Sequence, residues 1–475
     1  MNTEKTLLIC LIIGTFLRFY QLGHDSFWND EAGVALVAQE ETLNYLFQAA
    51  RGHVMAMPLD YVLIWALRHF SFSEFVLRIP ATIFGVATLV VGFNLFKLVF
   101  GARLAKIGLI LLTLSPLLVH YSQEMRFYAS MLFFYLLSTY TLLIAIERPT
   151  LRNWIKFMVS TILGAYFHVF VLLSIVNGVL WLVYQKDKFQ WDREAWVKAV
   201  ISLGIVGGTF LPGYIYFGWR QAFDFSLLQW SNSIWEEIGI GLGWIRLPYV
   251  PGKTTGVFWY VACFGCALIG VFHGLKDNAF NVRVFTASTI LQLLIILGAD
   301  LYKGYWFSYR QALLLHPFAL AFAGMGILRI ENWMQGHLFR QISKFNWEFI
   351  LVAILFLGSL PALRDYYRWP KSNAREISNT IVQNWEAGDV ISVSPGYNEK
   401  IFRYYLQYPI GHPEIASRVR AEEVDSNHPN GIRFVVIVDQ LPDDVIKNLL
   451  SNGYQPVILP ETGEWLGQSL YLKEE

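Results

Sequence analysis

The stretch 26–33 reads SFWNDEAG and sets two carboxylates, Asp30 and Glu31, side by side, with Asp25 close before them. A carboxylate placed at a surface can act as a general base, taking the proton of a hydroxyl as it attacks, an effect of roughly 10²–10⁴-fold in rate. The plainer use of the pair is to start a helix at 32, because acidic residues favour a helix N-terminus. A second polar stretch, YSQEMRFY (121–128), carries Glu124, Arg126 and Tyr128, and a third, DLYKGYWFSYRQ (300–311), carries Arg310. Arginine holds phosphate bidentately and stabilises negative charge on a leaving group. The plainer readings are a solvated Glu124–Arg126 pair and an interfacial anchor at Arg310. His168 suits a polar hairpin cap as well as a catalyst. Trp219, Trp230, Trp235 and Trp244 suit an interfacial belt, or stacking on sugar rings.

The elements that position these residues are apolar. Of 475 residues, 55% are hydrophobic and 15% charged, against roughly 25% charged in average soluble domains. The mean hydropathy is +0.41. Eleven segments suit membrane crossings: 6–22, 76–97, 104–120, 127–146, 152–167, 169–184, 198–217, 256–274, 283–300, 311–328 and 346–363. The first is read as an uncleaved helix, since no small-residue cleavage site follows it. Basic residues order the set. Lys97, Arg103 and Lys106 fall on one side, as do Arg148, Arg152 and Lys156, then Lys186, Lys188, Arg193 and Lys198. Lys276 and Arg283, then Arg329, Arg340 and Lys344, join them. Positive charge marks the cytoplasmic side, so the N-terminus is expected inside and the C-terminus outside. Positive flanks on both sides of 152–184 require two crossings, with His168 at the far turn.

All the polar stretches above then share the outer rim. Charge is costly at the bilayer centre, so charge gathered at one rim suggests a site there. A phosphate held at headgroup depth suggests a lipid-linked phosphate. The first outer loop, 23–75, holds two apolar stretches, 32–50 and 58–70, suited to interfacial helices. From about 364 the composition becomes that of a soluble domain. DVISVS (389–394) and RFVVIVD (433–439) read as buried strands, and 373–388 and 443–453 as helices ending at Gly. The expected organisation is a transmembrane catalytic domain over 1–363 and a small α/β extracytoplasmic domain over 364–475.

Other signals exclude more than they assign. No Lys/Arg-rich stretch points to nucleic acid. Cys263-Phe-Gly-Cys266 has redox-like spacing, but its place in an apolar run favours packing. No ligand spacing demands a metal, although outer-face acids can bind a divalent ion.

SFWNDEAG, followed by PLDYVLIWALRHFSFSEFVLRIPATIFG (58–85) and FGARLAKIGLILLTLSPLLVHYSQEMRFYAS (100–130), resembles the GT-C superfamily of membrane glycosyltransferases. It is similar in particular to bacterial enzymes related to protein O-mannosyltransferases and lipid A aminoarabinose transferases. The resemblance is strong over 1–185, weaker to about 330 and faint beyond. It implies transfer of one sugar from a polyprenyl-phosphate donor on the outer face of the inner membrane, with no cofactor required. It implies a catalytic base at Asp30, with Glu31 beside it shaping the site or orienting Asp30. By the same resemblance Glu124, Arg126, Tyr128 and His168 contact substrate, and Arg310 meets the donor phosphate. Many relatives read His-Pro-Pro-Leu where this chain reads Ala56-Met57-Pro58-Leu59; either His53 replaces that histidine or its role is absent. The acceptor is a protein, lipid or polysaccharide. Rival readings are a polymerase or ligase of lipid-linked glycans and, from another class, a flippase of lipid-linked sugars, for which the expected repeats and broken helices are not evident.

Overall fold

The computed structural model describes residues 3–51, 57–185, 191–218, 234–246, 256–303, 307–337, 347–368, 371–421, 432–438, 443–457 and 468–473. Among them, seven helices are long and apolar enough to cross a membrane: Glu74–Phe100, Tyr128–Glu147, Arg193–Phe217, Val257–Lys276, Phe280–Tyr302, Tyr309–Gln335 and Ile350–Arg368. Ala102–Leu114 and Pro116–Ser122 make an eighth if taken together, bent by 59° at their break. The bend has a local cause. Pro116 cannot donate to the first helix, and the Ser115 side chain accepts from Leu118 N to start the second. The remaining expected crossings are helices too, but Thr3–Phe19 and Leu151–Phe167 have 17 residues each and the apolar Val169–Tyr184 is shorter still. All are shorter than the roughly 20 residues typical of a crossing, so length and composition together mark seven or eight of the eleven segments.

The chain forms two compact units. One comprises 1–20, 47–60 and 80–366; the other comprises 21–46, 61–79 and 367–475. In the larger unit the windows of Tyr128–Glu147 and Tyr309–Gln335 are 78% buried and form its centre. Arg193–Phe217 is only 22% buried and exposes Trp196, Val200 and Leu211, as a lipid-facing helix does. Polar side chains join the central helices. Asn177 donates to the Tyr135 hydroxyl (3.0 Å) and accepts from Ser288 (2.6 Å) and Gln292 (3.0 Å), while Tyr135 donates to Gln292 (2.8 Å). Such bonds hold helices together where no hydrophobic force separates protein from lipid. Gln123 does a related task, donating to the carbonyls of Leu17, Arg18 and Tyr20 at the end of Thr3–Phe19 and accepting from Tyr366.

The smaller unit carries a five-stranded mixed sheet of β1 (Ile391–Ser394), β2 (Val419–Ala421), β3 (Phe434–Ile437), β4 (Tyr454–Val457) and β5 (Ser469–Lys473), in the order β2-β1-β3-β5-β4. β1 runs parallel to β2 and β3, with Ile391 opposite both Val419 and Phe434; β5 runs antiparallel to β3 and β4. Every residue of β1 and β3 is buried, as central strands require. The expected helices are Ala374–Gln383, which stops short of Gly388, and Asp443–Ser451. Among the described residues, the first loop contains three short helices, Asn29–Val37, Leu43–Ala50 and Pro58–Arg68. The first of these packs on Glu399–Gln407 of the C-terminal segment, where Phe27 meets the rings of Tyr404 and Tyr405 at 5.5 and 6.3 Å. Tyr405 accepts from Phe27 N and donates to Glu74, and Arg375 pairs with Glu74 at 2.9 Å.

Cys263 and Cys266 are free and lie where Val257–Lys276 crosses His316–His337. A Cβ on Gly326 would stand 1.9 Å from the Cys266 carbonyl oxygen, and one on Gly270 would stand 2.1 Å from that of Phe322. Gly270 on one helix and Gly326 on the other thus let the backbones touch. Gly326→Val should lower thermal stability in detergent by about 1–3 kcal/mol or more, since overpacking forces the helices apart. Gly265→Ala, with nothing within 4 Å of its added Cβ, should leave the melting temperature unchanged or raise it slightly.

Candidate active site

The expected site residues divide between the two units. In the smaller unit, Asp30 and Glu31 lie in the first turn of Asn29–Val37, where the helix dipole favours them. Glu31 is fully buried and takes a bidentate pair from Arg78: Nε donates at 2.9 Å and Nη2 at 2.7 Å. Arg78 also donates to the carbonyls of Leu22 (3.1 Å), Asp25 (2.9 Å) and Ser26 (3.3 Å) and lies over the Phe27 ring at 5.2 Å. These five bonds match the five N–H donors of a guanidinium. Glu31 therefore ties the turn to Arg78, and Asp30, half-buried, stands one position earlier on the same helix. Arg78 was missed as a site residue, although it lies within SEFVLRIP, a stretch that carried the resemblance.

In the larger unit, the other expected residues converge. Helix Pro116–Ser122 ends, and a tight turn, with Arg126 N donating to Glu124 O at 2.7 Å, leads into Tyr128–Glu147. Arg126 lies 5.1 Å from the Phe127 ring and 5.9 Å from the Tyr128 ring. Arg310 reaches Tyr128 from the other side of the sequence, 6.0 Å from the ring centre, and Nη1 donates to the Tyr128 hydroxyl at 3.4 Å. Its backbone is fixed by a capping box of Ser308 and Gln311. Tyr309 N donates to Glu237 Oε2 at 2.7 Å, and burial raises the Glu237 carboxyl above its ordinary value against the pull of that bond and of Arg310. Glu124 is buried beside His120, with Oε2 and Nε2 3.2 Å apart. The Tyr121 ring sits 4.9 Å from that of Tyr128, and its buried hydroxyl has no hydrogen-bond partner among the described residues.

His168 closes this cluster as a cap. It separates Leu151–Phe167 from Val169–Leu173, and its Nδ1 accepts from Phe170 N at 3.2 Å. Its ring stacks on Phe127 at 4.5 Å. Burial, assisted by the Arg126 charge, lowers its pKa to about 3, so it stays neutral at any physiological pH. Asp60, in the first turn of Pro58–Arg68, is also here: it is 7% exposed, and burial raises its carboxyl to about 6 against the opposing pull of Arg126. The sequence reading overlooked it, although it is the lone charge in PLDYVLIWAL. His53, Trp219 and Trp230 lie outside the described residues, Trp235 is exposed, and Trp244 packs on Phe264 at 4.9 Å. Among the described residues, no three His, Cys, Asp or Glu side chains come together to hold a metal ion.

The helical bundle, with short helices in its first loop and a small C-terminal sheet, is similar in fold to known membrane proteins. Residues 57–211 match the family model described as dolichyl-phosphate-mannose-protein mannosyltransferase. ArnT from Cupriavidus metallidurans superposes in its apo state with a TM-score of 0.57 at 11% identity, over 98% of this chain and 97% of that one. The same protein bound to undecaprenyl phosphate gives 0.56 at 12% identity, over the same shares. The archaeal oligosaccharyltransferase AglB from Archaeoglobus fulgidus, in complex with an inhibitory peptide and a dolichol-phosphate, gives 0.54 at 11% identity, over 100% of this chain and 74% of that one. These likenesses are of fold. No curated protein sequence matches the chain.

Two outcomes follow from the geometry. Arg78→Met strands the buried Glu31 charge and should cost about 3–5 kcal/mol of stability, while the double variant with Glu31→Gln should recover much of the loss in the same thermal denaturation assay. His168 stays neutral in the folded protein, while the unfolded chain takes up a proton below its ordinary value of 6.5. Stability from this residue is therefore present above pH 6.5 and lost as pH falls towards 3, so His168→Gln should flatten the acid limb of the stability–pH curve.

Proposed function

We propose that this protein is a membrane glycosyltransferase of GT-C type. It transfers a sugar from a polyprenyl-phosphate donor to an acceptor on the outer face of the cytoplasmic membrane, with the N-terminus inside and the C-terminal segment outside. The observation that carries the reading is the convergence of Arg126 and Arg310 on Tyr128, at 5.9 and 6.0 Å from one ring. Two guanidiniums brought to one ring from distant parts of the sequence form a place for an anion, and phosphate matches their donor geometry. The family match over 57–211 and the shared fold support a lipid-linked donor as the source of that phosphate.

The chemistry is a direct displacement. The acceptor hydroxyl or amine attacks the anomeric carbon, and its proton passes to Asp30. The bond from that carbon to the phosphate oxygen breaks, and polyprenyl phosphate leaves with the electron pair, stabilised by the arginines. One displacement inverts the anomeric centre. Glu31 commits both oxygens to Arg78, so the base role in the pair falls to Asp30, with Glu31 holding the turn.

The test is release of polyprenyl phosphate from a panel of polyprenyl-phosphate sugars in membranes carrying the wild type or a variant. The wild type should release carrier from one donor, Asp30→Asn should fall by about 10²–10⁴-fold with its fold intact, and Arg310→Ala should lose about 10²-fold or more. Equal release by Asp30→Asn would move the base elsewhere. Movement of intact donor across the membrane without release would replace the transferase reading by that of a flippase.

A further inference from the structure

Asp60 is a buried acid in the first turn of Pro58–Arg68. It is 7% exposed, and its Oδ2 has no hydrogen-bond partner among the described residues. The charge acting on it is that of Arg126. Met57, just before its helix, packs with Ala165, Phe210 and Phe217 and against Tyr166, Val169 and Leu172, the residues on either side of His168. The start of Pro58–Arg68 is thereby moored at the hairpin turn where Arg126, Phe127 and His168 meet.

A buried carboxylate oxygen without a donor is costly to the folded protein. Service to the helix dipole does not explain it, since an exposed acid in the first turn would serve as well. Such an oxygen is satisfied when a ligand brings a donor. Because Arg126 supplies positive charge nearby, the donor need not be a cation, and a neutral hydroxyl suffices.

We propose that Asp60 is a specificity-determining residue whose Oδ2 accepts a hydrogen bond from a hydroxyl of the transferred sugar. This rests on the donor reading above. It divides the work within the site: Arg310 serves the carrier phosphate, which every donor shares, and Asp60 serves the sugar, which distinguishes one donor from another. A site built to pair a hydroxyl rejects donors that lack it, because its own polar group is then left unpaired.

Binding by the full-length protein in detergent separates the two readings. The probes are bare undecaprenyl phosphate and its mannosyl, glucosyl, galactosyl and arabinosyl phosphodiesters. The wild type should bind the bare carrier, and at least one sugar should tighten binding by about 10–100-fold, the worth of one hydrogen bond to a charged group. Asp60→Asn should bind the bare carrier at least as tightly as the wild type, since a negative charge beside Arg126 has been removed, and lose most of the sugar's increment. Its melting temperature should stay the same or rise, since an unsatisfied charge has been removed from the interior. A structural role would instead lower the melting temperature and leave the increment intact. Equal increments in both proteins, or none in either, overturn the proposal for Asp60. Failure of the wild type to bind bare carrier overturns the donor reading itself.

Discussion

Arg78 must find five acceptors without help from water. Its guanidinium keeps its charge at any pH a cell reaches, and it is almost wholly buried. The acceptors are the carbonyls of Leu22, Asp25 and Ser26 and both oxygens of Glu31. Meeting that demand sets the path of the chain from 22 to 31. It also sets the register of Asn29–Val37, because Glu31 must face Arg78, and so determines where Asp30 is presented. The C-terminal segment completes the same unit. Tyr405 and Arg375 converge on Glu74, four positions before Arg78 on one helix, and Phe27 is held against Tyr404 and Tyr405. The sheet domain is thus part of the scaffold that holds the carboxylate turn.

The membrane unit obeys the same rule by other means. Asn177 and Gln292 sit among apolar helices, yet each spends its donors and acceptors on neighbours that include Tyr135, Ser288 and each other. Gln123 spends its amide on the last carbonyls of Thr3–Phe19. These satisfied groups are scaffold. Asp60 Oδ2 and the Tyr121 hydroxyl are buried without partners among the described residues, in the part of the unit where Arg126 and Arg310 approach Tyr128. Burying an unpaired polar atom is costly, and at Asp60 that cost is what the proposal above answers with a ligand hydroxyl.

Seen this way, neighbours in YSQEMRFY have divided duties. Ser122 accepts from Arg18 and Gln123 anchors a helix end, while Glu124, Arg126 and Tyr128 belong to the charged cluster. His168 likewise has its Nδ1 committed to Phe170 N, and burial deprives it of its proton. It can orient Phe127 and bound groups, but it cannot act as an acid.

What the sequence determined by itself is what local pattern encodes. Long apolar runs fixed the helices, since a crossing must close its hydrogen bonds within its own segment. DVISVS and RFVVIVD marked the two central strands, because strands buried on both faces are apolar throughout. The cluster of Glu124, Arg126, Tyr128 and Arg310 was legible as charge at a rim. Tertiary structure alone decided the rest. Short strands such as Val419–Ala421 carry too few residues for a pattern. Glu31 and Asp30 are equivalent in sequence; a partner 47 positions away, Arg78, separates scaffold from candidate base. Asp60 looks like any helix-start acid until its burial is known, because the cost of a buried charge depends on what surrounds it in space and not on its neighbours in the chain.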